Sequence, residues 1–151
     1  MQYTYECELW RGEKEWCIEP FGIEGITQGA DVEEACESAA DLLREIICDY
    51  LMRGEQPPAP SFGNTPQHEG VRVIVSVEAS LNNVEKVSAS EAAQILQVSR
   101  GRVTAMIEAG LLDAWKDGRN TWVTRASVEA RRANPRKPGR PKKEEAALRA
   151  K

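Results

Sequence analysis

Few residues of this chain could carry out catalytic chemistry. The four cysteines include no C-x-x-C pair, and His68, in a polar loop, is the single histidine among 151 residues. Zinc sites use cysteine and histidine ligands at close spacing, so we expect neither a metal nor a cofactor. One solvated histidine with no carboxylate partner in a motif also argues against Ser-His and Cys-His catalysis. We therefore expect no enzyme, and a hydrolase with paired carboxylates is the weaker alternative.

Basic and hydroxyl side chains near position 100 fit DNA binding better. Ser88 and Glu91 have the spacing of a capping box, which predicts the start of a short helix. Ser99 can cap a second helix over 100–109, which Gly110 ends. Two short helices joined by about three residues form a helix-turn-helix, whose second helix can enter the major groove of DNA.

A β hairpin is predicted to follow these helices as a wing. Asp117-Gly118 has hairpin turn chemistry and lies between the strand-like runs 114–116 and 121–123. A last helix is predicted over 126–133. The stretch 87–133 therefore has the element order of a winged helix-turn-helix.

The residues predicted to bind DNA lie on the second helix and on the wing. We assign Arg102 to a base edge and Arg100 to a phosphate, because both lie in the first turn of the second helix. The full set in this domain is Ser99, Arg100, Arg102, Thr104, Lys116, Arg119 and Asn120. Residues 87–130 carry 5 basic and 5 acidic side chains, so a packing or dimerisation role without DNA remains an alternative.

Residues 131–151 are strongly basic, with 9 basic and 2 acidic side chains. Gly139-Arg140-Pro141, flanked by basic residues, resembles an AT-hook, which inserts arginine into a narrow minor groove. The alternative is a flexible basic arm over 134–151 that contacts phosphates without sequence preference. The residues of this tail predicted to bind DNA are Arg136, Lys137, Arg140, Lys142 and Lys143.

The first half of the chain is predicted to form a β-β-β-α-β unit, which makes the whole protein α+β. Strands are predicted over 2–10, 15–21 and 23–27, and after a helix over 71–78. In the first strand apolar residues alternate with polar ones, as in a strand with one buried face. The apolar set is Tyr3, Tyr5, Cys7 and Leu9, and the polar set is Thr4, Glu6 and Glu8.

The single helix of this half is the clearest element of the sequence. Asp31 at the N-cap and Glu34 three residues on form a capping pair, and Gly54 is a plausible stop after Arg53. The loop 55–70, rich in proline and glycine, is expected to cross back over the domain. The apolar stripe of the helix comprises Val32, Ala35, Cys36, Ala39, Leu42, Leu43, Ile46, Ile47, Tyr50 and Leu51.

Charge divides the chain into two modules with different partners. Residues 1–86 carry 17 acidic and 6 basic side chains, whereas residues 87–151 carry 7 acidic and 14 basic ones. We place a first domain at 1–80, a linker at 81–86, a second domain at 87–133 and the tail at 134–151. No run exceeds three consecutive apolar residues, so we expect no transmembrane or signal segment and a cytoplasmic location.

The first domain resembles the N-terminal domain of HicB-type antitoxins. The matching residues are the tyrosine-rich first strand, Ile18-Glu19-Pro20-Phe21, Gly25–Ala30, Val32-Glu33-Glu34-Ala35 and Gly54–Ser61. The family pattern P-x-L-P-G-C-x-T-x-G has Ile23-Glu24-Gly25 in place of its P-G-C portion here. The resemblance implies a partial RNase-H-like fold without a required catalytic site. It also implies a partner, a small basic HicA-type toxin that cleaves mRNA.

The second domain looks like the excisionase branch, related to MerR-like proteins, of the winged helix-turn-helix proteins. The matching positions are Ala92-Ala93, Leu96, Val98-Ser99, Ile107-x-x-Gly110-x-Leu112 and the wing with Gly118.

Together the two resemblances predict the antitoxin of a type II toxin–antitoxin system that represses its own operon. Such DNA readers usually bind two half-sites as dimers, so a homodimer or higher oligomer is expected. The residues that bind the toxin are not predicted. The alternative is a solitary or prophage-type transcriptional regulator without a toxin partner.

Overall fold

The computed structural model describes residues 1–135, which divide into two units, Met1–Val84 and a second unit beginning at Glu85. The class is α+β, as predicted. The elements of the first unit are β1 Gln2–Arg11, β2 Trp16–Pro20, β3 Thr27–Gly29, α1 Val32–Met52, β4 Val71–Glu78 and a 3-10 turn at Leu81–Asn83. Those of the second are β5 Lys86–Ser88, α2 Ala89–Leu96, α3 Arg100–Glu108, β6 Ala114–Asp117, β7 Asn120–Thr124 and α4 Arg125–Ala133.

The first unit is an antiparallel sheet, in the order β3-β2-β1-β4, with α1 packed on one face. The alternation in β1 places its apolar residues on the helix side, as predicted. Asp31 caps α1 by accepting the Glu34 N–H at 2.8 Å. Val32, expected in the apolar stripe, is exposed. The buried core comprises Tyr5, Cys7, Leu9, Ile18, Ile23, Ala35, Ala39, Leu43, Ile47, Val75, Val77 and Ala79.

The third strand lies further along the chain than predicted. It was expected over 23–27 and is formed by Thr27–Gly29. Because β2 ends at Pro20, the chain needs the intervening residues to reverse direction, and it buries Ile23 within that connection. Gly29 then passes so close to α1 that a Cβ there would overlap the backbone of Ala35. Only glycine therefore fits at this position of β3.

The 55–70 loop does cross the domain, and it covers the outer face of β1. Glu6 and Glu8, in alternation with the core residues, are only 5% and 2% exposed. Glu6 accepts the N–H groups of Gly63 and Asn64 at 3.0 and 2.8 Å. The expectation of a strand with only one buried face is therefore wrong for the middle of β1.

Glu8 forms hydrogen bonds with the next part of the same loop. It accepts the N–H groups of Gln67 and His68, each at 2.6 Å. The Tyr5 hydroxyl donates to the Pro58 carbonyl at 2.6 Å and holds the beginning of the loop. Three side chains of one strand thus order a segment without regular secondary structure.

The loop also sets the ionisation of Glu6. Burial raises the pKa of Glu6, but the hydrogen bonds from Gly63 and Asn64 and the charge of Arg72 outweigh burial, so the pKa lies below its ordinary value. The carboxylate form is therefore the form that the loop binds.

The second unit is a three-stranded antiparallel sheet, in the order β5-β7-β6, with three short helices. The segment predicted as a linker, 81–86, instead contains the 3-10 turn and the start of β5. β5 was not predicted, because three residues are too few for an alternation to be visible. The core of this unit comprises Val87, Ala92, Ala93, Val103, Met106, Leu112, Val123 and Val128.

Replacing Glu8 with alanine should destabilise the protein strongly. The N–H groups of Gln67 and His68 would lose a charged acceptor at a partly buried position, so we expect a loss of about 2–3 kcal/mol in the free energy of unfolding. Urea denaturation measures this loss. Glu13→Ala, in the exposed turn between β1 and β2, is the matched control and should change stability by less than about 0.5 kcal/mol. Equal stability of the two variants would contradict the role assigned to Glu8.

Candidate nucleic-acid interface

The turn between α2 and α3 is fixed by local hydrogen bonds. Ser88 and Glu91 form the predicted capping box at the start of α2. At its end Gln97 adopts a left-handed conformation with φ 55°, and its N–H donates to the Gln94 carbonyl at 3.2 Å. Ser99 then accepts the Arg102 N–H at 3.1 Å and begins α3. The joint between the two helices is therefore three residues long, 97–99, as the sequence predicts.

α3 buries one side and exposes the other. Val103 and Met106 are buried in the core of the unit. Arg100, Arg102 and Thr104 are exposed, and the Thr104 hydroxyl donates to the Arg100 carbonyl at 3.2 Å. All three predicted residues of α3 are therefore accessible, with Arg100 and Thr104 as neighbours and Arg102 on a different side of the helix.

The wing presents the remaining predicted residues of this unit. Asp117 pairs with Asn120, so Gly118 and Arg119 are the two central residues of the hairpin turn. The turn spans Asp117–Asn120, as predicted, and Gly118, with φ 60°, takes its first central position, where a positive φ is needed. Lys116, Arg119 and Asn120 are all exposed.

Sequence analysis missed two arginines that share a groove with Arg102. The groove is about 410 Å³ in volume, and Arg131 and Arg132 of the last turn of α4 line it together with Arg102. Ile95, Leu96, Val98 and Met106 form its apolar lining. Both arginines lie in the predicted helix 126–133, and this position could have indicated that they belong to the second unit and not to the basic tail.

Lys86 holds the small sheet of this unit together. Its amino group lies 5.7 Å from the ring centroid of Trp115 and 5.1 Å from that of Trp122, which pair across β6 and β7. Cation–π contacts of this kind stabilise by about 0.5–1 kcal/mol each at partly exposed sites. Lys86 of β5 therefore stabilises the β6–β7 hairpin, which forms the wing.

The tail residues predicted to bind DNA lie outside the described residues. They are Arg136, Lys137, Arg140, Lys142 and Lys143.

His68 is an exposed loop residue, as predicted, but its ring makes two contacts that the sequence did not indicate. Its ring stacks on that of Trp10, with 3.9 Å between centroids, and its Nε2 lies 3.7 Å from a carboxylate oxygen of Glu19. The side chain remains 44% exposed. Residues 1–135 contain no group of three or more potential ligands arranged to hold a metal ion.

Cys7 lies in the core of the first unit, where its thiol is unreactive. Cys7 is fully buried, and burial, with smaller contributions from Cys36 and Glu6, raises the pKa of its thiol to about 12. A thiol in this state is not a nucleophile at neutral pH. Burial likewise raises the pKa of Cys48.

No helix within the described part of the chain is long and apolar enough to cross a membrane.

The sequence matches no protein-family model, and no curated protein matches it at a significant level. Among solved structures, a chain described as "Toxin-Antitoxin complex from Streptococcus pneumoniae" is similar to this one. The identity is 14%, the TM-score is 0.48, and the match covers 73% of this chain and 99% of that chain. At this identity and TM-score the likeness supports no argument about function.

Replacing Gln97 with glycine should stabilise the second unit. Glycine adopts a left-handed conformation without steric cost, so we expect a gain of about 0.5–1 kcal/mol in the free energy of unfolding. Gln94→Gly, an exposed position inside α2, is the matched control and should lose about the same amount. Thermal denaturation of both variants distinguishes the two positions. A loss of stability in both would show that Gln97 is not strained.

Proposed function

We propose that this chain is an antitoxin that acts by binding and not by catalysis. Its second unit, a winged helix-turn-helix, binds the operator of its own operon and represses it. Its first unit, HicB-like, neutralises a small, basic, HicA-type toxin that cleaves mRNA. The observation that carries the proposal is the exposed first turn of α3, which begins at the Ser99 cap and presents Arg100 and Arg102 to solvent on two different sides of the helix.

The beginning of α3 has the chemistry to bind DNA. The N–H groups of Arg100 and Gly101 have no hydrogen-bond partner among the described residues, and they lie at the positive end of the helix dipole. Such a helix start binds phosphate well. Arg102 can then reach a base edge in the major groove while Arg100 stays on the backbone.

Further cations extend this contact along the duplex. Lys116, Arg119 and Asn120 on the wing can meet the backbone or the minor groove. Arg131 and Arg132 border the groove beside Arg102, whose apolar lining can pack against arginine stems while the guanidinium groups stay in water. We assign both to phosphate contacts. The basic tail would add salt-dependent affinity of the same kind.

Replacing Arg102 with alanine should weaken operator binding by roughly 1–3 kcal/mol and relax the preference at one base pair. The measurement is fluorescence anisotropy with DNA from upstream of this gene, at fixed salt. Arg44→Ala is the matched control, because it removes the same charge from an exposed position on α1. If Arg102→Ala and Arg44→Ala bind the operator equally well, α3 does not read the DNA.

The proposed toxin surface is an acidic stripe on α1. Glu33, Glu37, Asp41, Glu45 and Asp49 are all exposed, and they follow one another at intervals of four residues. Residues four apart are neighbours on a helix surface, so these carboxylates form a ridge inclined to the helix axis, in which Asp41 is paired with Arg44 at 2.7 Å. Opposite charges speed encounter and favour the correct partner, so this ridge suits a basic protein.

The stripe carries a cost in stability. Like charges four residues apart destabilise a helix by about 0.2–0.5 kcal/mol per pair. A basic partner lying along α1 would offset this repulsion. Solubility alone would not require the carboxylates to lie in one ridge.

Replacing both Glu37 and Glu45 with lysine should therefore stabilise the free protein and weaken its complex with the toxin. The new attractive pairs should add roughly 1 kcal/mol to the free energy of unfolding. The association rate with the co-expressed product of the adjacent gene should fall by about tenfold at low salt.

The matched control changes the same charge elsewhere on the first unit. Glu13 and Glu24 are exposed outside α1, and replacing both with lysine should leave the association rate close to that of the wild type. If the α1 variant is stabilised but associates as fast as the wild type, the stripe is only a solvated helix face.

A solitary regulator of the mobile-element type is the second candidate. The observation that favours it is that the proposed DNA-binding residues of α3 and the wing lie within the second unit alone. Co-expression with the adjacent gene product separates the two candidates, because only an antitoxin will co-purify with it.

A further inference from the structure

β4 is an edge strand whose outer side has no partner among residues 1–135. The sheet order β3-β2-β1-β4 leaves β4 paired with β1 alone. No backbone hydrogen bond joins residues 71–78 of the described structure to any segment other than β1. A row of N–H and C=O groups therefore faces solvent along this edge.

This edge has no proline, no lysine and no bulge, three of the features by which proteins prevent strand addition, and its charged side chains are Arg72 and Glu78. Such edges usually carry proline, lysine or a bulge. β4 reads Val-Arg-Val-Ile-Val-Ser-Val-Glu and pairs with β1 over eight consecutive residue pairs without a bulge. Ile74, on its outer face, is 57% exposed. The edge is thus able to receive a further strand.

We propose that the strand it receives is β4 of a second copy of this chain, antiparallel and centred on Val75. In an antiparallel pair, directly opposed side chains point to the same face of the sheet. A two-fold axis must therefore pass through a residue position and not between two residues. The three central choices are Ile74, Val75 and Ser76.

Charge complementarity selects Val75 among these three. Only that register places Arg72 of one copy opposite Glu78 of the other, and symmetry makes this pair twice. Both side chains are exposed, and neither forms a salt bridge in the described part of the chain. If the two-fold axis passed through Ile74, Arg72 would lie opposite Ser76 of the partner copy. If it passed through Ser76, Glu78 would lie opposite Ile74.

The resulting dimer would be one continuous eight-stranded sheet with both copies of α1 on the same face. Ile74 would lie opposite Ser76 of the partner and lose much of its exposure to water. The inference does not depend on DNA or toxin binding, since it uses only the first unit.

The test is the self-association of the full chain, measured by sedimentation over a range of concentrations. We expect a reversible dimer. Glu78→Arg should raise the dimer dissociation constant by about tenfold, because it sets two pairs of like charges opposite each other. Ile74→Lys, at an exposed position on the edge, should weaken the dimer as well.

Two further variants make the result specific. The exchange Arg72→Glu with Glu78→Arg should restore part of the affinity that Glu78→Arg loses. Glu24→Arg, an equal charge change at an exposed position outside β4 and α1, should leave the dissociation constant unchanged. Arg72 also lies near Glu6, so circular dichroism must show that the exchange variant folds; if it does not, Glu78→Arg and Ile74→Lys decide.

Hydrogen exchange provides an independent readout. The amides of β4 that face away from β1 should exchange more slowly as the protein concentration rises. A protein that stays monomeric at all concentrations overturns the inference. A dimer that Glu78→Arg does not weaken overturns it too, because the charge pair defines the register.

Discussion

The first unit depends on the use of both faces of one strand. β1 lies in the middle of its sheet, with β2 on one side and β4 on the other, and its apolar residues meet α1. Its other face would meet water if Glu6 and Glu8 did not bind the amides of the 55–70 loop. The loop could not stay ordered over the sheet without acceptors for those N–H groups, since buried amides must be hydrogen-bonded. Two carboxylates therefore replace the second layer of secondary structure that a larger protein would use.

In the second unit a small hydrophobic core must fix the orientation of one exposed helix, α3. Its hydrophobic core is small, so the orientation of α3 depends on short-range devices: the capping box at Ser88, the left-handed Gln97 and the cap at Ser99. The sheet that carries the wing is supported by Lys86 against Trp115 and Trp122. Because Val103 and Met106 hold the inner side of α3, its arginines can remain exposed without loss of packing.

The two proposed surfaces and the free edge of β4 fit one mode of action. The proposed operator binding would gain affinity and specificity if two copies bound two half-sites. A dimer formed through the first unit would supply the second copy. The acidic stripe lies on α1, on the other face of the sheet from Ile74, so a basic partner and a second copy would use different surfaces. Because the acidic and the basic surface lie in separate units, each of them repels the partner proposed for the other.

Much of the secondary structure could be predicted from the sequence, because the signals for it lie within a few residues. The Asp31 cap, the stripe of α1, the Ser88–Glu91 box, the turn at 97–99 and the alternation of β1 are local patterns, and each is present in the structure. The exposure of Arg100, Arg102 and Thr104 follows from the period of the helix. The tertiary structure alone decided the burial of Glu6 and Glu8, the position of β3, the existence of β5, and the meeting of Arg131 and Arg132 with Arg102. Each of these depends on a contact between segments distant in the chain, and no pattern within either segment records which partner it will meet.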